Sequence, residues 1–509
     1  MDFVGLPRDK SEEASRRFSP PDAKDVGTRK SSLVTNGDLE NSALPIDISS
    51  AITFEHPYHP IHWPAWKKWA LATIYCGLQT FVTLLSTDYL PVEFLIQEKW
   101  GGSTQVVTLG QSMFIIGTAV GPVVLGPLSD IWGRKWLYVG AMYLYALTNI
   151  GIALPTGLPM LIIFMFLAGV TGSVALCNVA GTISDMFGDD AGAGQAMALF
   201  VSSANIGPSL GSPVGEWIAE NPHMGYPWIG WINVIIGGTF ATCMTLLPET
   251  LPSIVIPRTV KEKDGVEMEL PISRRSALDE VVFTLTMALR IMITEPIVLS
   301  LGLYNGFAYG LLFLYLDGVF DVFVVNYGLS YIGGNLTYLN FAAAVVIMFV
   351  FFVPLQTWLV KRDRKKHGGK IRPESRFLLS LVTVWGFPIS LFWFAWTSAP
   401  GLGHTSYWSP VIAGCLLGVV DTLLWLGMMN YITDSYPNLA GSAIAAFLIP
   451  SFLVAGGCAH LGVYMFQKLK TQVAVSILAG ISTGVVILVY TLYFFGPTLR
   501  ARSRYARKF

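Results

Sequence analysis

The feature that most limits what this chain can become is a series of apolar runs, each about 20 residues long, separated only by short polar breaks from residue 68 to residue 495. A bilayer core of about 30 Å is crossed by roughly 20 residues at helical rise, so each run has the length of one membrane span. Hydropathy windows place twelve of them, near 68–90, 104–127, 136–154, 158–182, 195–218, 228–247, 293–316, 331–356, 376–397, 408–431, 439–463 and 471–495. Turn residues between Pro155 and Pro159 keep the third and fourth runs apart. With 53% apolar and only 13% charged residues, the chain has too little polar surface to cover a water-soluble fold of 509 residues. Its 33 basic and 33 acidic residues cancel, which leaves no cationic field of the kind a nucleic-acid partner requires.

The basic residues fix an orientation. Thirty of the 33 lysines and arginines fall on the side of the N-terminal segment, and only Lys99, Lys468 and Lys470 fall opposite, so none is left within a span. The positive-inside rule then puts both termini in the cytoplasm and supports an even number of spans. The expected organisation is a disordered cytoplasmic tail over 1–67, a six-helix bundle over 68–247, a charged linker loop over 248–292, a second six-helix bundle over 293–495 and a short cytoplasmic tail over 496–509. The fold class is therefore an all-α membrane protein of twelve helices in two pseudo-symmetric bundles, a transporter architecture with its site near the midplane. The five cysteines, all within apolar runs, read as small packing residues.

The break after the second span reads GPLSDIWGRK, which spaces Gly126, Asp130, Gly133, Arg134 and Lys135 as G-x-x-x-D-x-x-G-R-K. With these residues the sequence resembles the major facilitator superfamily. The resemblance implies a conformational latch: a glycine-permitted turn holding a carboxylate and a guanidinium at helix ends, Arg134 reaching Asp185, and Asp130 facing the start of the eleventh span near Gly441 and Ser442. The fifth span, NIGPSLGSPVG, sets Gly207, Pro208, Gly211, Pro213 and Gly215 in one stretch, which looks like the helix-kink motif of twelve-span drug:proton antiporters. GTISDMF, LPET, Glu295 with Pro296, Tyr309 with Gly310, and NYITDSYP with Ser442 and Ala443 resemble segments of the fungal members of that group. One position departs: Met165 stands where that group usually has an arginine. The loop GDDAGAG, with Asp189 and Asp190, also lacks a basic residue.

With no cation inside, acids and amides carry the information. Asp421 lies near the middle of the tenth span, where an ionised carboxylate costs roughly 2.5–3.5 kcal/mol on insertion scales. Protonation relieves that cost, so Asp421 is the first candidate for proton coupling, with Asp88 and Glu216 second. Asp88, Glu216, Asp317, Asp321 and Asp434 lie near span ends, where the sequence reads them as solvated end charges. His460 reads as a satisfied polar residue near the outer end of its span. Gln79, Asn205, Tyr304, Asn305 and Asn340 share the depth of Asp421 and read as a polar ring, which together with Tyr309, Phe313 and Trp425 suggests a cavity for an amphipathic organic molecule. Asn335-Leu336-Thr337 matches a glycosylation sequon too close to the membrane for use.

These features predict a secondary transporter that exports a small organic compound, by resemblance a drug, toxin or secondary metabolite, in exchange for protons. The resemblance also implies the plasma membrane. A nutrient-uptake carrier and a ligand sensor without flux are the alternatives. Expected partners are the small-molecule substrate, protons and the lipid bilayer, with one chain, a monomer, as the working unit. No nucleotide, nucleic acid, cofactor or metal is expected, and no enzymatic activity: no G-x-x-x-x-G-K-[ST] loop, His-rich cluster or nucleophile with its base is present.

Overall fold

The computed structural model describes residues 56–188, 192–265, 277–368, 372–398, 406–436, 440–503 and 505–506. Twelve long helices run through them. They are α1 (Ala65–Asp88), α2 (Thr104–Trp132), α3 (Arg134–Ala153), α4 (Leu158–Phe187), α5 (Ala193–Glu220), α6 (Pro227–Leu246), α7 (Pro296–Val319), α8 (Tyr331–Lys366), α9 (Ser380–Thr397), α10 (Trp408–Ser435), α11 (Ala440–Lys468) and α12 (Thr471–Arg502). Eleven are apolar enough over 18 residues to cross a membrane by composition alone. The exception is α5, whose interior face carries Ser202, Ser203, Asn205, Ser209 and Ser212, all buried against neighbouring helices. Among the described residues no β-strand occurs.

Packing repeats after six helices. Helix α1 lies along α5 as α7 lies along α11, α3 along α6 as α9 along α12, and α2 against α4 as α8 against α10. These pairings define the two pseudo-symmetric bundles. Contacts of α2 with α11, and of α5 with α8 and α10, join them.

Helix ends differ from the sequence reading mainly at the end that carries the basic loops. There α2 runs to Trp132, α8 to Lys366 and α12 to Arg502, because hydropathy windows stop at the first charges while the helical hydrogen bonds do not. The linker is not simply a loop: it contains helices Pro252–Asp264 and Ala277–Thr294, and the second packs on α2 and α11. Its charges masked the helical period. Helix α4 breaks at Ser173 into Leu158–Gly172 and Val174–Phe187. Helix α8 widens into a π turn at Met348–Phe352, just before Pro354, whose missing N–H interrupts the regular ladder.

Small residues set the tightest seams. A Cβ on Gly207, Gly211 or Gly215 of α5 would strike the backbone carbonyls of Thr80, Leu84 and Asp88 on α1. Spaced four residues apart, these glycines form one stripe on which α1 lies in backbone contact. The α7–α11 pair has its own stripe, Gly302, Gly306 and Gly310, against Phe447, Ser451 and Cys458. Pro208 and Pro213 sit inside an α5 that continues through both, and Thr87 donates a 2.7 Å hydrogen bond to the Pro208 carbonyl.

Gly215→Ala is expected to destabilise the folded protein by about 1–3 kcal/mol, the usual cost of overpacking. Gly126→Ala, at a helical position with nothing within 4 Å of the added methyl, is expected to be silent. Thermal unfolding of both variants in detergent checks the pair.

Candidate functional site

Between the bundles lies a cavity of about 530 Å³, counting the space at its mouth. Of the residues that the sequence placed there, Gln79 of α1, Asn305 and Tyr309 of α7 and Trp425 of α10 line it. Ser86, Phe114, Ser173 and Phe452 line it too and were not anticipated; uncharged and common in any span, they carry no sequence signal. Tyr309 meets Phe313 and Phe452 edge-on at 5.3 and 5.5 Å, which stiffens that wall.

The polar atoms around this cavity are left open. Gln79 Oε1, Asn205 Oδ1, Tyr304 OH and Trp425 Nε1 are buried without a protein hydrogen-bond partner. A buried polar group left unpaired costs about 1–3 kcal/mol, so the two of these that line the cavity, on Gln79 and Trp425, are a feature to explain, whereas Asn205 and Tyr304, expected in the lining, are not part of it. Asp421 lies one helical turn before Trp425 on α10, is 6% exposed, and is within electrostatic reach of Tyr304 and Tyr309. The amide of Asn205 crosses from one bundle to the other, donating to Thr422 Oγ1 at 3.0 Å.

Four expected positions are corrected. Asn340 does not join the ring: its amide donates to Tyr315 OH at 2.9 Å and to the Val411 carbonyl at 3.2 Å, within the second bundle. Asp88 is not a solvated end charge; it is 1% exposed beside the α1–α5 seam, with one oxygen lacking a hydrogen bond. Glu216 is likewise buried. It accepts a 3.0 Å bond from Asn335 Nδ2, and Asn335 Oδ1 accepts from Ser212 at 2.6 Å, which ties α5 to α8. The sequon amide is thus engaged between helices. Asp434 is paired with Arg376 at 2.8 Å rather than solvated alone. Near the same end as Glu216, His460 Nδ1 meets Gln105 Oε1 at 2.8 Å, a satisfied polar residue that links α11 to α2. The side chains of Asp317 and Asp321, and the residues Asp189 and Asp190, lie outside the described residues.

At the basic end, Gly133 turns the chain with φ of +92° and α3 begins at Arg134. Arg134, 8% exposed, hydrogen-bonds Asp185 through Nε, stands 3.5 Å from Asp130 and donates to Ser129 at 3.1 Å. Gly126, expected at a tight turn, is inside α2, and the Lys135 ammonium lies over the Trp136 ring at 5.6 Å. Sequence reasoning missed Glu249. Its two carboxylate oxygens accept the first backbone N–H groups of α3, those of Arg134 and Lys135, at 3.1 Å each, so a residue 115 positions away caps that helix. Six helices later the design recurs. Arg376, entering α9, pairs with Asp434 at the end of α10 as Arg134 pairs with Asp185, and Arg500 at the end of α12 binds Glu374 before α9. The segments Ile183–Phe187 and Ile432–Tyr436, ISDMF and ITDSY, carry the matching acids.

Paired bundles, a midplane cavity between them and repeated ion pairs at one end define a secondary transporter. The family model of the Major Facilitator Superfamily matches residues 70–458, and the chain belongs to that family. It is 48% identical over 472 residues to an uncharacterized transporter of Schizosaccharomyces pombe, covering 92% of this chain and 85% of the relative. It is 39% identical over 465 residues to the vitamin B6 transporter bsu1 of the same yeast, covering 91% and 87%. Similarity to the multidrug transporter mdrA of Aspergillus fumigatus is 30% over 500 residues, covering 94% and 80%. The fold matches the crystal structure of the human organic anion transporter MFSD10 (TETRAN) with a TM-score of 0.55 at 14% identity, over 84% of this chain and all of that one.

Arg500→Leu, which strands the buried Glu374 carboxylate, is expected to cost about 3–5 kcal/mol, whereas Arg500→Leu with Glu374→Leu recovers most of it. Thermal melting of the single and double variants measures the difference.

Proposed function

We propose that this chain is a proton-coupled transporter that exports a small organic compound, with Asp421 as the group that exchanges the proton. The observation that supports it is a buried carboxyl, Asp421, one helical turn from Trp425 in the cavity lining, where Trp425 Nε1 and Gln79 Oε1 lack hydrogen-bond partners. One acid that alternately holds a proton and the cargo side of the cavity is the minimal chemistry for antiport. On this reading the basic loops and both termini are cytoplasmic, the protein acts as one chain in the plasma membrane, and the bundles rock about the cavity. The ion pairs of Arg134 and Arg376 each lie within one bundle and tie together its own cytoplasmic helix ends, so that each bundle moves as a unit. Within the ionic latch, Asp130 and Asp185 are the acids that respond when the cytoplasmic side separates.

The cargo on this reading is small and rich in hydrogen-bonding groups. The cavity wall sets Gln79, Asn305, Thr83 and Ser86 among ring faces. Its amides and hydroxyls suit a vitamin-sized ring compound better than a large apolar drug, and identity to the vitamin B6 transporter exceeds that to the multidrug transporter. That same relative favours a second reading, uptake of a vitamin-like nutrient together with protons.

In proteoliposomes with an imposed pH gradient and pyridoxine as the first probe, antiport is expected to move the probe against the direction of proton flow. Movement in the direction of proton flow would establish the second reading instead. Asp421→Asn is expected to reduce either flux to background, and an unchanged rate removes Asp421 from the coupling.

A further inference from the structure

Helix α8 changes character along one face. Over its last part, Val353–Lys366, it turns Val353, Val360 and Asp363 inward, and all three are buried. The opposite side carries Leu355 and Trp358, both exposed, and beyond them Lys361, Arg362, Lys365 and Lys366, exposed as well. At 3.6 residues per turn these six side chains fall within roughly 140° of the helix circumference, so a surface that faces lipid up to Trp358 becomes cationic past it. Tryptophan favours the level of the headgroups, and the Arg362 guanidinium lies over the Trp358 ring at 5.4 Å. At helical rise the four cations stand about 4–12 Å beyond Trp358 along the axis, within reach of the headgroup layer for side chains of this length.

The acid in this stretch does not offset them. Asp363, the one acid between Lys361 and Arg372, belongs to the buried side, where Arg372 holds its two oxygens at 2.8 and 3.1 Å. Membrane orientation depends only on how many basic residues lie on one side. It does not require that they gather on the lipid-facing surface of one helix while their acid is turned inward. We infer that this end of α8 binds an acidic phospholipid with a multiply phosphorylated headgroup, in the leaflet on the side of the basic loops, which is the cytoplasmic leaflet on the orientation proposed above. Four cations within two turns exceed what a headgroup of one net charge neutralises, whereas several phosphates on one ring engage them together through charge-assisted bonds. The acyl chains of that lipid run along Leu355 and Trp358, so the lipid is the ligand and not a free inositol phosphate. The site shares no residue with the cavity lining, and its occupancy depends on neither cargo nor proton.

The test is native mass spectrometry of the full chain in detergent, titrated separately with dioleoyl phosphatidylinositol bisphosphate, dioleoyl phosphatidylserine, dioleoyl phosphatidylcholine and free inositol trisphosphate. The bisphosphate lipid is expected to bind at least tenfold more tightly than phosphatidylserine, with phosphatidylcholine and the free trisphosphate weaker still. Each basic residue at a membrane surface contributes a factor of about five, so Lys361→Gln with Arg362→Gln, Lys365→Gln and Lys366→Gln should abolish that preference. Lys468→Gln with Lys470→Gln, at the other end of the spans, should leave it unchanged. The inference is overturned if phosphatidylserine or phosphatidylcholine binds as tightly as the bisphosphate lipid, if the free trisphosphate does, if the fourfold variant keeps the preference, or if the distant pair of substitutions removes it. Should the fourfold variant fold poorly, the wild-type ranking decides alone. No flux is read, so a negative result here leaves the transporter reading untouched, and failure of the gradient assay leaves this site standing.

Discussion

In hydrocarbon there is no water to accept a stray hydrogen bond, so a membrane chain must satisfy its polar groups from within. That constraint organises this molecule. Helices dispose of the backbone groups, and serine and threonine hydroxyls fold back on carbonyls three or four residues earlier along almost every span, as Ser203 does on Phe200 and Thr422 on Gly418. Against this accounting, the open atoms of Gln79 and Trp425 stand out by their location. Most of the other open atoms lie elsewhere, as at Asn149 and Gln356, whereas these two line the cavity where the two bundles face each other.

The same constraint separates two kinds of contact. Within each bundle the glycine stripes of α5 and α7 bring backbones together, and such seams admit no side chain and therefore no adjustment. Between the bundles, the described hydrogen bonds are a few side-chain bonds: Ser112 to the Gly456 carbonyl at 3.0 Å, Asn205 to Thr422 at 3.0 Å, Asn335 with Ser212 at 2.6 Å and Glu216 at 3.0 Å, and His460 with Gln105 at 2.8 Å. Hydrogen bonds of this kind in membranes average about 0.6 kcal/mol and reach about 1.7. A few of them can be exchanged for others at small net cost, while a glycine seam cannot be opened without leaving a void. Rigid halves joined by exchangeable contacts follow from where the small and polar residues lie.

How much of this was legible depends on the range of the interaction. Hydropathy is local, so the spans and the basic end could be read directly, and Arg134 with Asp185 followed from a resemblance that itself carried three-dimensional information. The cap on α3 by Glu249 and the pair of Glu374 with Arg500 join residues more than a hundred positions apart, and no local pattern marks them. Depth in the membrane can be counted along a helix, but facing cannot be fixed from a span that is apolar all round. Asn340 was therefore given the wrong neighbours. Asp88 and Glu216 were misjudged for a related reason: a span end is wet only where the neighbouring helix ends at the same level, and here α5, α6 and α8 continue past them.

Met165 brings these strands together. It is fully buried in α4, at the position where the resembling antiporters carry an arginine, and it does not line the cavity. An arginine at a fully buried site needs a counter-charge of its own, since a guanidinium in hydrocarbon without one is among the most costly groups a span can hold. With methionine there, the first bundle needs no such partner and contributes only neutral amides, hydroxyls and rings to the shared cavity. On the other side, Asp421 of α10 in the second bundle stands one helical turn from Trp425 of the lining. On the proposed mechanism, proton and cargo must compete for that one carboxyl instead of being divided between an acid in one bundle and a base in the other.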